Sequence, residues 1–462
     1  MYGKEILIMF KKDFMWGAAT AAYQIEGAAH ADGRGLSVWD VFCEEGNAYA
    51  GHTGDIACDH YHRFVEDVAL MKEAGINSYR FSLSWTRIIP NGIGEINQKG
   101  IAFYNSLIDE LLKNGITPMI TLFHWDYPYE LEKKGGWKNP ESSEWFADYA
   151  EVVFKNFSDR VKYFITINEP QCFIGQGYSL GIHAPGLKCS DRDVVLMAHN
   201  VMLAHGKAVK RLRKIAPECK IGYAPTCSAA IPESNSKEDI EAARIKYFDI
   251  GMSNWTWNVS WWSDPIMLGR YPEETSAFEK LGKYLPEGYK EDLKIISEPI
   301  DFYCQNIYNG AHYRAGENGP EWVRNSINTP LTNCNWPVVP EALYWGPKFL
   351  YERYKKPIII SENGMAGYDA ICLDRKIHDA DRIDFINKYL LALERAIDDG
   401  IEVDGYMYWS LMDNFEWAKG YSVRFGLVHI DYITQKRTPK DSFYWYKDVI
   451  KTNGEILHRW SK

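Results

Sequence analysis

Residues 356–364 read KPIIISENG: three consecutive isoleucines, then a carboxylate, then a glycine. A short β-branched run without alternation suits a strand buried on both faces, as in a parallel sheet covered by helices. Glu362 at its end is either a solvated strand terminus or a carboxylate aimed into a pocket. Seven other stretches have the same form, an apolar run ending in polar or aromatic residues. They lie at 14–26, 78–85, 117–125, 161–169, 220–226, 301–308 and 404–411. Amphipathic helical patterns lie between them. At 60–75, Phe64, Val68 and Met71 share a face, and at 101–115 Leu107, Leu111 and Leu112 do so. Both patterns stop at a glycine, Gly75 and Gly115, and two further helices are expected at 143–158 and 381–400. Eight strands alternating with helices predict an α/β chain, a (β/α)8 barrel with long loops at its C-terminal face. A doubly wound sheet is the alternative, but no Gly-x-Gly-x-x-Gly turn follows the first strand.

The 462 residues are read as one barrel domain, with residues 1–8 as an extension and 227–300 and 309–356 as insertions above the barrel. The net charge of −10 and the lack of a basic stripe argue against a nucleic-acid partner. No window approaches the length of a membrane span. Nine scattered cysteines without a Cys-x-x-Cys suit free thiols, and with no secretory leader they predict a cytoplasmic protein. His60 and His62 lack a completing cluster of cysteines or acids, so no metal and no cofactor are expected. By composition alone the 17 Trp and 30 Tyr read first as core and surface material, although such rings also cover the apolar faces of sugars. Nothing in the sequence speaks to oligomeric state.

Reactive groups of such barrels gather at the C-terminal ends of the strands. Here those ends carry Gln24 and Glu26, Arg80, His124, Asn168 and Glu169, Asn306 and Tyr308, Glu362, and Trp409. Two glutamates among His, Asn, Gln and Trp on one mouth favour a site over two solvated surface residues. Paired carboxylates can cleave a glycosidic bond, one attacking the anomeric carbon and the other protonating the leaving oxygen. At about 5–5.5 Å apart they retain configuration through a covalent intermediate. A cation beside the nucleophile keeps it ionised, and Arg80 is the candidate.

These residues carry a family resemblance. FITINEP (164–170) and IIISENG (358–364) resemble the two glutamate signatures of family 1 glycoside hydrolases. FMWGAATAAYQIEG (14–27), YRFSLSW, HWD, GYSLGIHAPG, YWSLMDNFEW (408–417) and RFGL match the same family in order along the chain. The resemblance implies a retaining β-glycosidase with Glu169 as acid/base and Glu362 as nucleophile. It assigns sugar contacts to Gln24, His124, Asn168, Trp409, Glu416 and Trp417, and makes Tyr308 a hydrogen-bond partner of Glu362. It makes Trp336 an aromatic wall of the leaving-group side. Asn306 and Tyr308 survive where the neighbouring Cys304, Gln305 and Ile307 depart from the family pattern. Cys172, just past the first signature, is either at the rim of the site or a buried thiol.

Members that cleave 6-phosphoglycosides have Ser, Lys and Tyr where this chain has Glu416, Val423 and Phe425. The absence of a cation there predicts an uncharged sugar. The expected activity is that of a β-glucosidase acting on cellobiose, short cello-oligosaccharides and aryl β-glucosides, small-molecule substrates all. A β-galactosidase-, β-fucosidase- or transglycosylase-leaning member is the alternative, and a non-catalytic sugar-binding barrel is the alternative of a different class.

Overall fold

The computed structural model describes residues 10–460; the extension expected over residues 1–8 lies outside the described residues. Eight parallel strands close into a barrel. They are Met15–Ala19, Ser78–Ser82, Thr117–Phe123, Tyr163–Asn168, Lys220–Ala224, Phe302–Asn306, Ile358–Asn363 and Val403–Trp409. Each pairs with its neighbours in sequence order, and the first closes on the eighth, Ala19 lying opposite Trp409 on one side and Arg80 on the other. Ile358, Ile359 and Ile360 are buried on both faces, as a parallel strand under helices requires. Gly364 ends the run for a packing reason: a side-chain carbon there would lie 1.9 Å from the Trp409 carbonyl oxygen.

Helices occupy the four expected stretches, as His60–Glu73, Gln98–Lys113, Ser142–Phe157 and Ala380–Asp398. Gly75 and Gly115 follow two of them with φ of +74° and +73°, the left-handed conformation that closes a helix and costs glycine no side-chain clash. One face is corrected. Leu107 and Leu111 are buried, but Leu112 is exposed, because successive helical residues point about 100° apart and only 107 and 111 share a stripe. His60 and His62 turn to Asp67 and Asp59 at 2.7 and 2.6 Å.

The strands are shorter at their C-terminal ends than the sequence pattern suggests. The first ends at Ala19, and residues 22–25 form a helical turn, so Gln24 and Glu26 lie beyond the strand. Glu26 is not at the mouth. It accepts from Arg87 Nε at 2.9 Å and from the Tyr104 hydroxyl at 2.7 Å in a buried ion pair. The two long insertions meet each other: Ala229–Pro232 pairs in parallel with Gly310–Gly316, which hairpins onto Gly319–Val323. Each insertion also supplies a helix before the next barrel strand, Tyr289–Ile296 and Ala342–Tyr354. No helix among the described residues is long and apolar enough to cross a membrane.

Candidate active site

The C-terminal mouth of the barrel holds a cavity of about 360 Å³, with both Glu169 and Glu362 on its wall. The two arrive differently. Glu362 is the fifth of six buried residues of the seventh strand. Glu169 stands one residue past the fourth strand with φ 44° and ψ 68°, a left-handed conformation costing a non-glycine residue about 1–3 kcal/mol. Pro170 disfavours the right-handed alternative at residue 169 and then opens the helix Pro170–Ile174. The Glu169 amide donates to Ala224 O at 2.8 Å, which fixes this turn against the fifth strand.

Arg80 organises the floor. From the second strand it donates to Thr121 Oγ1 and Ser361 O, both at 3.0 Å, and to Glu362 Oε1 and Asn168 Oδ1, both at 2.5 Å. The Tyr308 hydroxyl donates to Glu362 Oε2 at 2.6 Å. Both carboxylate oxygens of Glu362 are therefore held, one by a cation. Among the described residues Glu169 has no cationic partner within ion-pair distance. Its Oε1 accepts from Asn306 Nδ2 at 2.7 Å and its Oε2 from the Cys172 thiol at 3.0 Å. Asn306 is oriented by Ser361, whose hydroxyl donates to its Oδ1 at 2.6 Å.

The electrostatics follow. Burial, and next the negative charge of Glu362, push the Glu169 carboxyl up to about 7. Burial also raises Glu362, but Arg80, Tyr308 and Asn306 oppose the rise. Of the two, Glu169, the group without a cation, is therefore the one that holds a proton more readily. Glu416 is pushed to about 8 by burial and by the other two glutamates.

Asn168 Oδ1 already accepts from Arg80 and from Asn306 Nδ2, so its amide nitrogen faces His124 Nε2 at 2.9 Å. His124 is then the acceptor and carries its proton on Nδ1. Burial and the nearby Arg80 lower its basicity well below the usual imidazole range, so the ring is neutral. The His124 ring lies nearly parallel to those of Trp409 and Trp417, with centroids 5.8 and 5.9 Å away. Tyr308, Trp336 and Phe425 form a second aromatic group, Trp336 lying 5.3 Å from Tyr308 and 6.0 Å from Phe425.

Of the residues expected at the site, Glu169, Glu362, His124, Tyr308, Trp336, Trp409, Glu416, Trp417 and Phe425 line this cavity. Gln24, Asn168, Arg80 and Asn306 stand behind its wall. Gln24 donates to Phe415 O at 2.8 Å and to Glu416 Oε2 at 3.3 Å. Cys172 is at once buried and on the cavity wall, against Glu169. The sequence reading missed Trp125, Gln176, His183, Thr226, Cys227, Ser228, Trp257, Asn309 and Lys419 on the wall. His183 and Gln176 fall within or beside the recognised GYSLGIHAPG stretch, which was the available signal; Trp257 lies in an insertion with no such marker. Among the described residues no group of His, Cys, Asp or Glu is arranged to hold a metal.

A closed (β/α)8 barrel with two buried carboxylates of unequal protonation in an aromatic-walled pocket has the equipment of glycosidic-bond-cleaving barrels. The profile of Glycosyl hydrolase family 1 matches residues 7–455. The chain is 48% identical over 457 residues to beta-glucosidase A of Acetivibrio thermocellus, covering 97% of this chain and 99% of that one. It is 45% identical over 450 residues to beta-glucosidase A of Thermotoga maritima, covering 96% and 98%. Among solved structures, the Thermotoga maritima beta-glucosidase in complex with glucoimidazole matches with a TM-score of 0.88 at 44% identity, over 96% of this chain and 99% of that chain. The chain belongs to glycosyl hydrolase family 1 and is a glycoside hydrolase.

Proposed function

We propose that this protein is a retaining β-glucosidase that releases terminal non-reducing β-D-glucosyl residues from cellobiose, short cello-oligosaccharides and aryl β-glucosides. The observation carrying the reading is the inequality of the two glutamates: Glu362 held by Arg80 and Tyr308, Glu169 raised to about 7 without a cation. Glu362 attacks the anomeric carbon while Glu169 gives its proton to the departing oxygen, so the glycosidic bond breaks as the glycosyl ester forms. The ester removes the charge of Glu362, the second-largest cause of the raised Glu169 value. Glu169, left as a carboxylate by the first step and freed of that neighbouring charge, takes a proton from water as the water oxygen bonds to the anomeric carbon and the Glu362 carboxylate leaves. Asn306 touches Glu169 and also favours the ionised form of Glu362, which supports the short separation that this route needs.

Three carboxyl groups share the cavity with a single ammonium, that of Lys419, and a phosphosugar would add a further anion. Val423 and Phe425 are buried and offer it no cation, which supports an uncharged glycone. Nine free thiols support a reducing, cytoplasmic setting. The test is hydrolysis of 4-nitrophenyl β-glucoside followed by proton NMR. β-Glucose as the first product is expected; α-glucose first would overturn the double displacement, and no turnover would favour a sugar-binding barrel.

A further inference from the structure

Gln171 is fully buried in the short helix Pro170–Ile174, two residues after Glu169. It stands behind the cavity wall, to which its neighbour Cys172 and its partner Thr226 both belong. Both ends of its side-chain amide are committed to one backbone unit. Nε2 donates to Thr226 O at 2.9 Å, and Oε1 accepts from the Thr226 amide at 3.4 Å. No step of the proposed route uses this residue directly.

Thr226 lies just past the end of the fifth strand, Lys220–Ala224, whose own residues do not reach the cavity. The exit of that strand is a common mount for two groups. On one side the Glu169 amide donates to Ala224 O at 2.8 Å, and Gln171 clamps Thr226. On the other side the Asn306 amide donates to Pro225 O at 3.1 Å, and Asn306 O accepts from the Cys227 amide at 3.3 Å and the Thr226 hydroxyl at 3.2 Å. Asn306 Nδ2 then returns to Glu169 Oε1 at 2.7 Å. Glu169, Gln171, Thr226 and Asn306 thus close a ring. A left-handed residue such as Glu169 persists only where its surroundings hold it, and Pro170 has no N–H to contribute. Gln171 is the side-chain link of the ring on the acid's side. Glu362 is held independently, by Arg80 and Tyr308.

We infer that Gln171 is a positioning residue for Glu169. Its amide sets where the turn carrying the acid sits against the fifth-strand exit, and so against Asn306 and the bond to be broken. This rests on the reading of Glu169 as the acid and adds to it a residue that acts only through Glu169. Loss of Gln171 should therefore impair proton donation and spare the attack by Glu362.

The experiment measures kcat/KM, which reports the first chemical step, for phenyl β-glucoside and 2,4-dinitrophenyl β-glucoside. Gln171→Met keeps the side-chain length and removes both hydrogen bonds. It is expected to lose about ten- to a hundred-fold on the phenyl glucoside, the scale of a misplaced acid, and to stay within about two-fold on the dinitrophenyl glucoside. Gln171→Asn keeps the amide but is one methylene short; it serves if Gln171→Met does not fold, with about a three-fold loss on the phenyl glucoside alone. Equal losses on both substrates, or a fall in denaturant stability with the two rates in their original ratio, means that Gln171 only satisfies the Thr226 backbone, and overturns the proposal. Glu169→Ala is measured beside them. If that variant shows no such selectivity, the acid reading itself fails; if it does and the Gln171 variants do not, only the positioning role fails.

Discussion

The ends of the fourth and seventh strands each deliver a glutamate to one cavity, and they treat it in opposite ways. The seventh keeps Glu362 within a regular strand, where Arg80 and Tyr308 hold both oxygens. The fourth turns Glu169 out through a left-handed residue and gives it an amide and a thiol but no cation. Burial is common to both, so burial does not distinguish the proposed nucleophile from the proposed acid. The partners do: a cation within 2.5 Å favours the ionised form, whereas neutral donors leave the neighbour's charge to raise the acid.

Removing the seventh-strand group should have the largest effect. Glu362→Gly is expected to lower kcat on the order of 10⁴-fold or more, the scale of losing a nucleophile. Azide entering the vacated space should restore turnover and yield the α-glucosyl azide, read by NMR. Retained activity without azide would break the contrast at once.

Glu169→Ala should come next and be selective. Leaving groups that need a proton are expected to lose about 10²–10⁴-fold, and 2,4-dinitrophenyl β-glucoside far less in the glycosylation step. A Brønsted plot against leaving-group pKa measures this, and equal losses across the series would remove Glu169 from the acid role.

Arg80→Met tests the cation itself. It leaves Glu362 buried without its opposite charge, so stability should drop by about 3–5 kcal/mol in denaturant unfolding. Without that cation the Glu362 carboxyl rises further, and the acid limb of kcat/KM should move to higher pH. An unmoved acid limb in folded protein would mean that Arg80 does not tune the nucleophile.

In the unaltered enzyme the alkaline limb should lie near pH 7, because Glu169 acts protonated in the proposed route and is raised to about 7. Cys172→Ala should give the smallest change. The thiol donates to the ionised Glu169 and so lowers its pKa; removing it should move the alkaline limb up by about half a pH unit. A downward shift would contradict the donor role.

Much of the contrast was legible in the sequence because the barrel strands announce themselves by apolar runs and the glutamates follow directly. Ile358 to Glu362 is the plainest case. Strand ends were harder. Residues 22–26 continue the apolar pattern of the first strand, yet Ala22–Ile25 coils, so Glu26 turns away to Arg87 while Gln24 reaches Glu416. The part of the cavity wall supplied by the insertions was the least legible. Trp257 looks like its three neighbours in sequence and differs from them only in being left uncovered by the insertions, a long-range outcome with no local pattern. Cys172 shows the same limit, since a buried thiol and a contact of the acid are the same residue here.

The most direct test of the contrast is covalent trapping. The protein is incubated with 2-deoxy-2-fluoro-β-glucosyl fluoride, digested, and its peptides are mapped by mass spectrometry. One fluoroglucosyl group on Glu362 is expected. A label on Glu169 or elsewhere, or no label in protein that still cleaves 4-nitrophenyl β-glucoside, would contradict it.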